Sequence, residues 1–271
     1  MNFLFIVFVS IIVSGFGSIV GFGGGVFMIP ILVIFFHYPI KIAIGAVVVS
    51  LIPSALISTL FNLNKNNIDY KTAVILEIPT ILGTIIGAYL TKIFSITLVE
   101  ILFSIIVFII GFKMISQTES KKQSFGKNSL MYKFNNFGPK IIRKTEHGVY
   151  KISMIVSTIF GIISGTIAGF LGIGGGFIKV PIMTEIFSMP AVTASATALF
   201  MILFTSISGS VSHLLLGHII ISYAIPVILG FSIGAFGGNF INPKLSDKTL
   251  KQLIGIGLLL AAVSLIFNMI I

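Results

Sequence analysis

Two decapeptides decide the fold: GFGGGVFMIP at residues 21–30 and GIGGGFIKVP at residues 172–181. They share the pattern G-x-G-G-G-x-x-x-x-P, stand 151 residues apart, and the same offset holds outward from them. Pro39 falls on Pro190 and Ala43 on Ala194, and far downstream Gly83 and Gly87 fall on Gly234 and Gly238. Glycine and proline constrain the backbone more than other residues do. A constant register of such positions therefore predicts two halves that share a backbone path, a duplication within one chain.

Around the decapeptides the chain is apolar. Of its 271 residues 56% are hydrophobic and 9% charged, with a mean hydropathy of +1.15. A soluble domain carries roughly 25% charged residues, so a water-soluble globular enzyme is excluded and an integral membrane protein remains. Apolar segments run over about 3–20, 26–36, 42–63, 72–90 and 98–115, and again over about 152–171, 177–190, 191–216, 222–242 and 252–271. At about 20 residues per span, this predicts an all-α integral membrane protein of about eight to ten transmembrane or re-entrant helical segments. The start, MNFLFIVFVS, lacks a basic n-region and an A-x-A site, so it reads as the first helix and not as a signal peptide.

The second segment of each half is too short to cross. Residues 26–36 make a helix of roughly 16 Å against a hydrocarbon core of about 30 Å. The segment follows a triple glycine and contains Pro30, which predicts a broken or re-entrant helix packed in protein or lining a wet cavity.

Charge orders the rest. Nine of the 17 Lys and Arg fall between Lys113 and Lys151, around the polar stretch 116–150. Three parts follow: a membrane repeat at 1–115, a basic linker at 116–150 and a second membrane repeat at 151–271. Basic connections are retained in the cytoplasm, so the linker is expected inside a multi-pass cell-membrane protein, where it can rest on anionic lipid headgroups. With an odd number of crossings per half, fourteen loop and helix-end Lys and Arg lie inside and two, Lys41 and Lys92, outside; with an even number the split is eleven to five. The positive-inside rule thus favours inverted repeats.

The duplicated G-x-G-G-G-x-x-x-x-P motif in one small hydrophobic chain resembles the TauE/SafE sulfite-exporter family of membrane transporters, over essentially the whole chain. That resemblance implies movement of sulfur-containing or organic anions such as sulfite, sulfonates and sulfoacetate. The residues point the same way independently. A helix that starts after a triple glycine leaves its first N–H groups without intrahelical partners and points its positive dipole end at the turn. Gly23, Gly24 and Gly25, with Gly174, Gly175 and Gly176, are therefore the expected anion-binding turns, meeting near the midplane. Gly83, Gly87, Gly234 and Gly238 read as small-xxx-small helix packing.

Polar residues inside the spans complete the candidate site. Ser54, Ser58 and Asn62 follow at i+4 on one helix face, and the repeat places Thr205 and His213 opposite Ser54 and Asn62. Lys179 stands one turn into the second glycine-started helix, where a cation adds to an anion site. Glu77 and Glu185 lie in apolar runs, where ionisable groups are functional candidates, here for proton coupling; His213 is a further titratable group. The expected partners are a small anionic substrate, the bilayer and protons as coupling ion. No nucleic-acid partner is expected, and the oligomeric state is open. Zero cysteine excludes thiolate metal sites and disulfides. Histidine spacing offers no metal site, and neither a nucleophilic triad nor a P-loop is present, so no cofactor, metal or enzymatic activity is expected. The rival readings are an accessory subunit of a membrane complex and a carrier of an unrelated solute such as a metal cation.

Overall fold

A computed structural model describes residues 2–63, 65–95 and 137–240, with scattered positions at 97–112 and at 259 and 263. The apolar segments expected at 98–115 and 252–271, and the linker as far as residue 136, lie largely outside the described residues. The elements are α1 (Asn2–Val20), α2 (Gly25–Phe36), α3 (Ile40–Leu63), α4 (Tyr70–Ile93), β1 (Lys140–Thr145), β2 (Gly148–Ser153), α5 (Met154–Leu171), α6 (Gly176–Pro181) continued by a π-turn (Ile182–Ile186), α7 (Ala191–Leu215) and α8 (Ile221–Phe240).

Six of these helices, α1, α3, α4, α5, α7 and α8, are long and apolar enough to cross a membrane. Their outward faces are greasy: Leu4, Phe8 and Ile12 on α1, and Ile78, Leu82 and Ile86 on α4, are exposed. The interior combines large apolar side chains with small and hydroxyl residues, and several of its hydroxyls bond to the carbonyl one turn back. Thr80 and Thr84 donate to the carbonyls of Leu76 and Thr80 at 2.6 and 2.8 Å. The chain is an all-α integral membrane protein in its spanning part.

Glycines let the helices close up. A Cβ on Gly165 would stand 2.0 Å from the Thr80 carbonyl oxygen, and one on Gly87 would stand 2.0 Å from that of Thr166. On α8, a Cβ on Gly234 or Gly238 would stand 2.3 Å from the carbonyl oxygen of Ile11 or Gly15. The small-xxx-small pairs thus act in packing.

These contacts also give the helix directions. Gly161, Gly165 and Gly169 of α5 meet Leu76, Thr80 and Thr84 of α4 in ascending order, so α4 and α5 run parallel. Gly230, Gly234 and Gly238 of α8 meet Val7, Ile11 and Gly15, so α1 and α8 run parallel. Asp69, Glu77 and Thr84 meet Thr197, Thr205 and Gly209, which sets α7 along α4. α3 follows α8, with Gly45 at His218 and Phe61 at Phe236 and Phe240. It runs against α7: Gly45 lies at His218, just past the end of α7, and Val48 lies beside Gly209, earlier in it. Helix starts recur as well: Gly25, Ile40 and Tyr70 each stand 151 residues before Gly176, Ala191 and Ile221.

The polar stretch before α5 ends in an element that the hydropathy reading does not contain. β1 and β2 form an antiparallel hairpin, with Ile141 opposite Ile152 and Arg143 opposite Tyr150. Its strands alternate, with Tyr150 and Ile152 turned onto the bundle and Ile142 and Val149 exposed. The turn rests on Pro190, where α7 begins.

Candidate functional site

Both glycine turns have the geometry that the motif requires. Gly24 and Gly175 cap α2 and α6 in the left-handed region, at φ 88° and 74°, where a side chain is strained. α2 has 12 residues, about 18 Å at 1.5 Å per residue, too short to cross a hydrocarbon core of about 30 Å. The two turns are in direct contact. Gly25 lies against Ile173, and Gly176 lies against the Gly21 carbonyl and Phe22. Leu51 and Ile202, both fully buried, fill the space beside Gly23 and Gly174. In this closed arrangement the centre between the turns is apolar.

The charge of the site lies one turn further on. Lys179 is 1% exposed and Glu77, on α4, is 5% exposed. The Lys179 Nζ donates to Glu77 Oε2 at 2.8 Å and to Thr205 Oγ1 at 2.6 Å. The Thr205 hydroxyl in turn faces two acceptors, Glu77 Oε1 and the Met201 carbonyl at 3.1 Å. Three expected site residues, from α4, α6 and α7, thus close into one ring. Two charges taken out of water persist only when paired and hydrogen-bonded, as these are.

The other candidates are distributed. Ser54 pairs with Ser14 at 3.1 Å, and Ser14 donates to the Phe231 carbonyl at 2.8 Å. Asn62 donates to the Ser58 carbonyl and accepts from Asn67, at the end of the bundle that carries the hairpin. His213 lies at the opposite end, with Nδ1 2.9 Å from His218 Nδ1 and Nε2 2.8 Å from the Gly169 carbonyl. Burial, with Lys41 nearby, holds His218 below the usual imidazole range. Glu185 falls in the π-turn, and its side chain lies outside the described residues. Among the described residues no group of acidic and histidine side chains has the arrangement of a metal site.

One polar centre escaped the sequence reading. Asp69 caps α4, accepting from the Lys71 and Thr72 amides. It also accepts from Arg143 Nη2 at 2.7 Å, from Arg143 Nε at 3.0 Å, from the Thr72 hydroxyl at 2.6 Å and from the Tyr150 hydroxyl. Burial pushes the Asp69 carboxyl up, but hydrogen bonds from Arg143, Thr72 and Tyr150 outweigh it and hold the group at about 2. His147 adds a bond to Asn67 at 2.8 Å. The hairpin is therefore strapped across the starts of α4 and α7. Beside it opens a cleft of about 620 Å³ lined by Asp69, Lys71, Arg143 and Lys144. The signal was present in the alternation of KIIRKT and GVYKIS, but the partner, Asp69, is over seventy residues away.

Among the described residues, six long apolar helices surround two glycine-started half-helices and a buried ion pair, the architecture of a multi-pass membrane protein. The sulfite exporter TauE/SafE family model matches residues 6–265, and the chain belongs to that family. It is 29% identical to the probable membrane transporter protein YunE of Bacillus subtilis over 99% of this chain and 98% of that one. It is 26% identical to the probable membrane transporter protein MJ0441 of Methanocaldococcus jannaschii, over 91% and 88%. A shorter match, 35% identical over 34% of this chain and 19% of the other, is to the Arabidopsis thaliana sulfite exporter TauE/SafE family protein 3. No solved structure matches the chain.

Proposed function

We propose that this protein is a secondary transporter that moves small sulfur-containing or organic anions, of the sulfite, sulfonate and sulfoacetate class, across the cell membrane. In this reading alternating access works around the two glycine-broken helices, and the basic stretch 116–150 faces the cytoplasm. The observation that carries it is Lys179, a cation enclosed at mid-chain of the bundle, one turn past a left-handed glycine cap. A buried ammonium and a helix start act on a negative solute in the same direction. Buried hydroxyls on Thr59, Ser206 and Ser210 have no protein partner among the described residues and are available to a solute or water.

The helix directions support inverted repeats. α1, α3 and α8 run one way and α4, α5 and α7 the other, so α5 opposes α1, its counterpart at an offset of 151. Two half-structures of opposite sense can exchange conformations, which is the geometry that alternating access needs. The family's name, sulfite exporter, agrees with a sulfur oxyanion as solute.

Counterflow of radiolabelled sulfite and methanesulfonate in proteoliposomes tests the reading. Wild type should exchange at least one of them, and Lys179→Met, checked for folding by size exclusion and circular dichroism, should lose it. Absence of counterflow in wild type, or full counterflow in folded Lys179→Met, would overturn the proposal.

A further inference from the structure

The two halves share a backbone but not the charge. At the offset of 151, Lys179 corresponds to Met28, Thr205 to Ser54 and Glu77 to Ile228. In the first half Ser10 donates to the Met28 sulfur at 3.6 Å and Ser14 pairs with Ser54, without a charged group. Packing alone therefore does not require an ion pair at this place in the fold. The pair is an addition that the bundle must hold in a medium hostile to charge.

We propose that Glu77 is a displaceable counterion: the solute anion takes its place on the Lys179 ammonium when a proton neutralises the carboxyl, so that one anion and one proton cross together. This rests on the anion-transport reading and adds the coupling and the charge of the solute. In the empty state the site holds an ammonium and a carboxylate and is neutral. Loaded, it holds an ammonium, a carboxylic acid and a monoanion, and is neutral again. Binding the anion without the proton would leave a net buried negative charge, which the low-dielectric interior disfavours. The same bookkeeping selects singly charged solutes, a sulfonate, a carboxylate or hydrogensulfite, over the sulfite dianion.

Thr205 lets the site change state without leaving a buried polar group unpaired. With Glu77 ionised, the Thr205 hydroxyl donates to Glu77 Oε1; with Glu77 protonated, the carboxyl donates to Thr205 Oγ1, and the hydroxyl turns to the Met201 carbonyl at 3.1 Å. The groups that face Glu77 from each packed element are few. α6 presents Lys179 and α7 presents Thr205, while α5 lays Gly161 and Gly165 against α4 at Leu76 and Thr80. The nearest other charges on α4 are Lys71 in its first turn and Asp69 at its cap, two turns away.

The test uses purified full-length protein in proteoliposomes, with radiolabelled methanesulfonate and sulfite, an entrapped pH dye and a potassium–valinomycin clamp. In wild type an inward proton gradient should drive uptake, with proton and anion entering one to one and no response to the clamped voltage. Because proton and anion binding are linked, apparent anion affinity should rise by up to about tenfold per pH unit of acidification. Glu77→Gln, which is permanently neutral, should lose the proton flux, and the anion flux that remains should become voltage-dependent and insensitive to the proton gradient. Thr205→Val should shift the pH profile of uptake and Thr205→Ser should restore it, which does not depend on Glu77→Gln folding. Wild-type flux that follows voltage and ignores the proton gradient would overturn the counterion role while leaving anion transport intact. Absence of any flux or counterflow in wild type would overturn both.

Discussion

Replacing Arg143 by alanine tests whether the hairpin is fastened to the start of α4 or only lies beside it. Arg143 holds the Asp69 carboxylate with two nitrogens, at 2.7 and 3.0 Å. The carboxyl is held at about 2, against an ordinary value of 3.8. At about 1.4 kcal/mol per unit, the donors net of burial would contribute about 2.5 kcal/mol. The Arg143 side chain is 19% exposed and the site is at the end of the bundle, where water screens it. The discounted share of Arg143 is about 1–1.5 kcal/mol, which makes local opening of the hairpin roughly five- to tenfold more frequent.

Amide hydrogen exchange of the detergent-solubilised chain reads this directly. In Arg143→Ala the cross-strand amides of 140–153 should exchange about five- to tenfold faster, while those of α5 and α7 should not change. The sign with pH follows from the depressed value. The stabilisation is complete above about pH 4 and is lost as pH falls towards 2, with about half gone at pH 3. The gap between wild type and Arg143→Ala should therefore narrow by pH 3, after correction for intrinsic rates. A change of less than about twofold in the hairpin, or an equal change in α7, would refute the strap.

Three further outcomes follow from the packing. Lys179→Met and Glu77→Gln should each cost about 3–5 kcal/mol in reversible unfolding, because each strands a buried charge, while the double variant should return to within about 1 kcal/mol of wild type; additive single effects would show the pair to be uncoupled. Gly165→Ala places a Cβ 2.0 Å from the Thr80 oxygen and should cost about 1–3 kcal/mol by forcing α4 and α5 apart, whereas Gly237→Ala, with nothing within 4 Å, should stay within about 0.5 kcal/mol. Gly24→Ala at φ 88°, with its Cβ 2.8 Å from the Val13 oxygen, should lower thermal stability by at least the backbone strain of about 1–2 kcal/mol, read against wild type in the same detergent.

Much of the fold was legible because membrane helices announce themselves locally. The expected segments 26–36, 42–63 and 72–90 became Gly25–Phe36, Ile40–Leu63 and Tyr70–Ile93. Hydropathy and helix-breaking glycines carry that information within one window of chain. The hairpin was not legible, since 140–153 alternates inside a polar, charged run and its anchor at Asp69 is supplied by tertiary contact. The site was half legible. Lys179, Glu77 and Thr205 stand out singly as polar residues in apolar runs, but the 102 residues between Glu77 and Lys179 hide that they form one ring. The glycine pattern gives the bend of each turn but not the side chains, Leu51 and Ile202, that fill the space beside them.

The unequal halves bear on how such a bundle could move. On the transport reading, the solute has one charged residence, Lys179, and the first half answers it with hydroxyls. Ser14, Ser54 and the Phe231 carbonyl are joined by neutral hydrogen bonds, each contributing about 1 kcal/mol net. The Lys179 ring sits between α4, α6 and α7, where parting the helices would strand a charge. The serine cluster joins α1, α3 and α8, where parting them leaves hydroxyls that water can satisfy at little cost. An empty transporter should therefore open first along the serine side, keeping its ion pair closed. The charged side should part only when proton and anion have replaced the internal pair with an external one.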